Sequence, residues 1–391
     1  MRLMRDEDFE DDDLAEGSDD FRVTQEDFRN LYIVPTDWTV QVLLDTIEKR
    51  IDLQPGFQRR GVWSPQAKSR FIESIFLGIP IPQILLAERQ HEADRLIVLD
   101  GKQRLLTLKE FVEGRHLDGS IFALSGLVNV PELNGKSWHQ IKEQFQNLSE
   151  RFLGTTIRTT VLRGWRDDRI LYEIFYRLNS GSVRLSSMEL RMSLKHGPFL
   201  RHIVAWSESV GPIHNLLNLR HPDKRMADVE LAIRHLAFVH SQTLYRGNLK
   251  DFLDKFCELQ NRSFDRALTD ERLATFEKAI ESATKEFGEE NVCRRYIPRE
   301  ERFDTRFNRA LFDVQIGSFA HSGIREWAEK EPANLRNAFI RLSTEDPDFR
   351  SSSEMTTKSL TAFRKRFESW YSRVSDITDI SLPVPPALHK K

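Results

Sequence analysis

The chain has 391 residues, 39% of them hydrophobic and 30% charged, with a formal net charge of -2. That apolar fraction suffices for two compact domains, and no run approaches the roughly 18 to 20 apolar residues that a membrane span needs. The two cysteines, Cys257 and Cys293, are too few and too far apart for a disulfide framework or a structural zinc site.

The N-terminus is acidic: Asp6 to Asp20 holds ten carboxylates and no base. Such a start is unlike a secretory signal, so a cytoplasmic location is expected. Without this run the chain carries a small excess of basic residues, which is compatible with DNA as a partner. Residues 1–29 read as a disordered acidic tail, or as a DNA mimic that occupies a basic groove.

From Asp37, a candidate helix cap, Val40, Leu43, Leu44 and Ile47 repeat at helical spacing. Residues 51–63 read as extended. Ser64-Pro65 then places a hydroxyl at a cap and proline at the first helical position, which predicts a helix to about Leu77 with Ala67, Phe71, Ile75 and Phe76 inward. Gly78 and Pro80 stop it. Ile84 to Ala87 and Leu96 to Leu99 are short apolar runs expected as buried strands. After the second comes Asp100-Gly101, followed by Leu105, Leu108, Phe111 and Val112 on one helical face that ends near Gly114.

Further on, Ile157, Thr159 and Val161 alternate as a strand. Ile170, Leu171, Ile174, Phe175 and Leu178 form a helix, and Ser186 with Glu189 has capping-box spacing. Beyond residue 200 the pattern is persistently helical, as in Leu273, Phe276, Ile280 and Phe287 before Gly288. The proline-rich stretch Leu382 to Pro386 is expected to be extended or disordered.

Three clusters carry candidate chemistry. In Asp100-Gly101-Lys102-Gln103-Arg104 a strand ends in a glycine turn and opens a helix, an arrangement that presents free N–H groups and a positive dipole end to an anion. Lys102 and Arg104 can neutralise a phosphate, and Asp100 can hold Mg2+ or orient a water. The alternative is an ordinary turn whose charges face solvent. In the second cluster, Gln54 to Trp63, Arg59 and Arg60 point to opposite sides of an extended segment, so Arg59 is favoured to enter a site beside Gln58. Alternatively Phe57 and Trp63 anchor the core while both arginines reach outward. The third cluster, Phe175 to Ser182 followed by Glu189 and Arg191, offers Asn179 and Arg191, although capping and an Arg/Glu ion pair would also explain it.

Four ordered segments, PGFQRRGVWS, SRFIESIFLGIPIPQILLAE, LDGKQRLLTLKEF and FYRLNSGSVRLSSMELR, resemble the DUF262 family, the N-terminal domain of GmrSD-type restriction enzymes. The likeness covers residues 30–200, and FNRALFDV at Phe307 to Val314 adds a looser similarity. The resemblance implies an α+β chain: a ParB/sulfiredoxin-like nucleotide-binding domain over 30–200, a helical domain over 201–378 and a flexible tail over 379–391. It implies a DGQQR-type turn for nucleotide binding and hydrolysis. By this likeness Asp100, Gly101, Gln103 and Arg104, with Gln58 and Arg59, take the motif's positions; together with the reading of the clusters, Asp100, Gln103, Arg104 and Arg59 are expected to be catalytic, and Gly101, Lys102, Gln58, Asn179 and Arg191 to bind the nucleotide. Lys102 departs from the DGQQR form.

Asn179, Arg191, Gln58 and Arg59 are expected to converge on the turn, because five residues cannot surround a triphosphate. An NTP, whether ATP, GTP or CTP, with Mg2+ is the implied cofactor. DNA, a separately encoded nuclease and a second copy of the chain are the implied partners. The HNH nuclease domain that often follows in this family is not evident; His214, Asn215, Asn218 and His221 lack its pattern and read as loop residues. The resulting expectation is an NTP-hydrolysing component of a restriction or anti-phage system, with or without DNA nicking. Its rivals are a non-hydrolysing nucleotide-gated DNA clamp and a regulatory subunit.

Overall fold

The structure is a computed structural model that describes residues 23–389 apart from 52, 54–62, 90–94, 179–186, 224 and 355–358. Gln58, Arg59, Asn179 and the Ser186 cap therefore lie outside the described residues. Two compact units divide the chain between Leu194 and Lys195, slightly before the boundary expected near residue 200.

The N-terminal unit is built on strands β1 (Tyr32–Thr39), β2 (Ile84–Glu88), β3 (Leu96–Asp100) and β4 (Thr156–Arg163), in the sheet order β1-β4-β2-β3. β4 pairs antiparallel with β1 and parallel with β2, while β2 and β3 are antiparallel. Helices α1 (Val40–Lys49), α2 (Pro65–Phe76), α3 (Lys102–Glu113), α4 (Trp138–Gln144) and α5 (Gln146–Gly154) share one core with Leu86, Val98 and Val161. Helices α6 (Asp168–Leu178) and α7 (Ser187–Leu194) share a second core with Leu85, Ala87, Ile97, Leu99 and Leu162. Apolar residues of both parities are thus buried, which is why β2 and β3 read as unbroken apolar runs rather than alternating ones.

Several local rules hold as read. Ser64 Oγ accepts the Ala67 N–H at the start of α2, and Pro65 occupies the first helical position. Gly114, at φ 75°, closes α3. The α1 cap differs: it is Thr39, whose hydroxyl accepts the Val42 N–H, whereas Asp37 lies in β1 opposite Arg158. β1 was not anticipated. It is an edge strand in which half-buried Val34, Thr36 and Trp38 alternate with exposed Ile33, Pro35 and Asp37; apolar residues at two exposed positions and a threonine at a half-buried one blur that alternation in the sequence, and Pro35 is tolerated at an edge.

The segment between α3 and α4 is tied to α2 by polar contacts. Glu73 Oε1 accepts the N–H groups of Val128, Asn129 and Val130, and Ser69 Oγ accepts that of Ser125. Deeper in, Lys68 Nζ lies 2.5 Å from Glu110 Oε2, which also meets His116 Nδ1 at 3.3 Å.

The C-terminal unit contains α8 (Pro198–Ser207), α9 (Pro212–Leu216), α10 (Ala227–His240), α11 (Leu249–Arg262) and α12 (Arg266–Phe287). After them come a short hairpin of β5 (Tyr296–Ile297) with β6 (Arg302–Phe303), then α13 (Arg309–Phe319) and α14 (Ser322–Lys330). The unit ends with α15 (Asn334–Glu345), α16 (Pro347–Glu354) and α17 (Leu360–Thr378). Leu273, Phe276, Ile280 and Phe287 are buried along α12, and Gly288 caps it, as the spacing predicts. The expectation of a flexible tail fails over 379–389. Ala387 and Leu388 are buried, the Ala387 carbonyl accepts the Tyr245 N–H, and Arg364 donates to the carbonyls of Leu388 and His389. Two apolar side chains next to the prolines suffice to dock the segment.

The FNRALFDV segment has a structural use in this unit. Asn308 caps α13 through the Leu311 N–H and donates to the Ser353 carbonyl. Asp313 takes Arg234 in a two-pronged, fully buried pair, with both contacts at 2.6 Å. Burial raises the Asp313 carboxyl above its ordinary value while Arg234 opposes it, and the partner carboxylate holds Arg234 charged. Burial also drives His235 down to about 3 and His240 down to about 4, so both are neutral near neutral pH.

Candidate functional site

The exit of β3 is irregular. Leu86 faces Val98, but Leu85 faces Asp100, so Leu99 is an extra residue, a β-bulge immediately before the glycine turn. Bulges of this kind re-aim the side chain that follows them. Asp100 Oδ1 accepts the Gly101 N–H at 2.7 Å and Oδ2 accepts Arg104 Nη2 at 2.7 Å, so both carboxylate oxygens are directed at the start of α3.

Gly101 stands at the N-cap with φ 93° and ψ 11°, a left-handed conformation that costs a side chain about 1 kcal/mol. Space gives a second reason for glycine: a Cβ there would lie 3.0 Å from Ile84 Cγ1 and 3.2 Å from both Nε and Nη2 of Arg104. The guanidinium therefore folds back across the glycine, where its side chain is only 11% exposed against 43% for Asp100. Among the described residues no side chain caps α3, and the first-turn N–H groups of Gln103 and Arg104 have no intrahelical acceptor. Gln103 Oε1 is buried and accepts no hydrogen bond from the described residues. The turn thus gathers fixed positive charge, open backbone donors and one unused buried acceptor, the equipment for an anionic ligand that also carries an N–H or O–H donor.

On the neighbouring strands, Gln83 lies just before β2, and its Oε1 accepts the Thr160 hydroxyl of β4 at 3.2 Å. Neither residue was singled out in the sequence; their link comes from the parallel pairing of Leu85 with Thr160. Arg191 is fully buried on α7, which packs against β3, and its Nη1 lies 3.8 Å from Met188 Sδ. Lys102 is half-buried in the first turn of α3. Gln58, Arg59 and Asn179 belong to segments outside the described residues, so their expected convergence on the turn has no geometry here.

Mg2+ on Asp100 does not fit this arrangement well, because a cation on Oδ2 would stand beside the Arg104 guanidinium. Among the described residues no three His, Cys, Asp or Glu side chains gather to hold a metal ion. Cys257 and Cys293 are buried free thiols, and burial pushes the Cys293 thiol up, away from nucleophilic use.

In the C-terminal unit a cleft of about 800 Å³ opens between α9 and the end of α12, lined by Leu216, Ile280 and Val292 together with Asn215, Arg220 and Lys285. The expectation that His214, Asn215, Asn218 and His221 are loop residues needs correction for the first two, which lie in α9. Gly211-Pro212 starts that helix, and His214 is fully engaged. Its Nδ1 accepts the Gly211 N–H, and its Nε2 meets buried Asp228 at 3.0 Å.

A bulged strand, a glycine turn and a helix start without a side-chain cap among the described residues stand together on a sheet covered on both faces. Residues 40–194, most of the N-terminal unit, match the family model described as GmrSD restriction endonuclease, N-terminal domain. No curated protein and no solved structure matches the chain. Among the described residues no helix is long and apolar enough to cross a membrane.

Proposed function

We propose that this chain is a nucleotide-dependent component of a restriction or anti-phage DNA-defence system, with an NTP bound at the Asp100 to Arg104 turn. The observation that carries the reading is the start of α3 at Gly101, where Arg104 is held across the glycine and no side chain among the described residues caps the first turn. Such a site stabilises a phosphoryl group by position and charge rather than by covalent chemistry. Gln103 Oε1, buried without a donor, suits a hydroxyl or amino group of the nucleoside. Lys102 supplies a further cation, and Arg59, Gln58, Asn179 and Arg191 are proposed to complete the enclosure from neighbouring segments. DNA is the proposed macromolecular partner, with a separately encoded nuclease making the cut.

The test is release of inorganic phosphate from ATP, GTP and CTP, each with and without DNA. Arg104→Ala is expected to lose about 2–4 kcal/mol of transition-state stabilisation, equivalent to a rate loss of roughly 30- to 1,000-fold. Unchanged kinetics in folded Arg104→Ala removes the assignment, and binding without phosphate release favours the nucleotide-gated clamp.

A further inference from the structure

Asp100 is the acidic residue of the turn, and its exposure would suit a metal ligand. The hydrogen bonds give it a different task. One oxygen holds the Gly101 N–H and the other holds Arg104 Nη2, each at 2.7 Å. The bulge at Leu99 aims the carboxylate in this direction, and the missing Cβ of Gly101 leaves room for the guanidinium to reach it. Carboxylate, glycine and arginine therefore form one mechanical unit: the strand end grips the arginine, and the arginine lies over the helix start.

A divalent ion on Oδ2 would compete with Arg104 for the same oxygen and repel its charge at contact distance. A carboxylate paired with a guanidinium instead restrains a long side chain in one rotamer before the ligand arrives, so less ordering is left to be done on binding. No cluster of three metal-ligating side chains stands among the described residues to supply the rest of a coordination shell. Mg2+ characteristically binds nucleotides through the substrate phosphates and keeps several waters, which requires few protein ligands.

We infer that Asp100 is a positioning residue for Arg104 in nucleotide binding, not a ligand for a divalent cation, and that any Mg2+ in the site rides on the nucleotide's own phosphate oxygens. The inference rests on the nucleotide-binding reading above. It assigns Asp100 an effect that passes entirely through Arg104.

A double-mutant cycle on the full chain tests this. Isothermal titration with ATP, GTP, CTP and UTP selects the nucleotide bound most tightly. Its affinity is then measured for the native chain, Asp100→Asn, Arg104→Ala and the double variant, in Mg2+ and in EDTA. Asp100→Asn is expected to weaken binding about tenfold in the native background by the same factor in both buffers, and to have almost no effect once Arg104 is alanine. Asp100→Glu, which keeps the charge, is expected to recover part of the loss. If any variant fails to fold in a thermal melt, Arg104→Lys replaces Arg104→Ala; it keeps a charge but loses the fork that Asp100 grips. A loss seen only in Mg2+ and persisting without Arg104 would make Asp100 a metal ligand and overturn the inference. Absence of binding by all four nucleotides in the native chain would instead sink the nucleotide reading, and this inference with it.

Discussion

Two glycines flank α3, both left-handed, and only one of them is crowded. Gly101 has φ 93° and contacts at 3.0 to 3.2 Å awaiting a Cβ, whereas Gly114 has φ 75° and nothing within 4 Å. Replacing either by alanine incurs the left-handed conformation, about 1 kcal/mol. At Gly101 the methyl must also displace Ile84, which is fully buried in β2, or push Arg104 off Asp100. Overpacking of this kind adds roughly 1–3 kcal/mol, so Gly101→Ala is expected to destabilise by about 2–4 kcal/mol against about 1 for Gly114→Ala. Because the chain has two units, a single melting curve does not isolate the effect. Hydrogen exchange of the peptide spanning Lys102–Glu113 across a urea series does. Gly101→Ala should also weaken nucleotide binding, while Gly114→Ala leaves it intact. Equal losses at the two positions would refute the argument from the Ile84 and Arg104 contacts.

Glu73→Ala strips an acceptor from three backbone N–H groups and is expected to cost about 2–4 kcal/mol, with limited proteolysis newly cutting at residues 125–130. Glu73→Gln, which keeps an acceptor oxygen, should fall between that variant and the native chain. His235, held down at about 3 instead of its ordinary 6.5, binds a proton in the unfolded chain before it does in the folded one. Its contribution is therefore complete above pH 6.5 and is lost as pH falls from 6.5 toward 3, by roughly 2–3 kcal/mol at pH 4.5. His235→Phe, which preserves the ring stacked on Phe276, should reduce the loss between pH 6.5 and 4.5 while the share of His240 remains, and an unchanged acid slope would count against the buried neutral imidazole.

What the sequence made legible was whatever local chemistry decides. Ser64-Pro65 starts α2, Gly114 ends α3 and Gly288 ends α12, because caps and left-handed turns depend on a few consecutive residues. β2 and β3 were visible as apolar runs because both faces of the sheet are covered. β1 was not, since apolar Ile33 and Pro35 stand at exposed positions and polar Thr36 at a half-buried one, and its final Thr39 rather than Asp37 caps α1. The docked C-terminus escaped for a related reason. Proline spacing signals extension, but whether an extended segment is held depends on a partner far away in sequence, here the Tyr245 N–H that meets the Ala387 carbonyl.

The candidate site shows the same division more sharply. Asp100, Gly101, Gln103 and Arg104 could be named because a strand, a glycine and a helix follow one another within a few residues. The direction of the Asp100 side chain could not, because the bulge that sets it arises from register: Leu85 opposite Asp100 and Leu86 opposite Val98 leave Leu99 over, and neither strand alone encodes that surplus. A one-residue change of pairing decides whether an acidic side chain faces solvent, a metal or its neighbouring arginine. Here it turns Asp100 toward Arg104, and the side chain that looked most like a cation ligand becomes the clamp on the cation that the protein already carries.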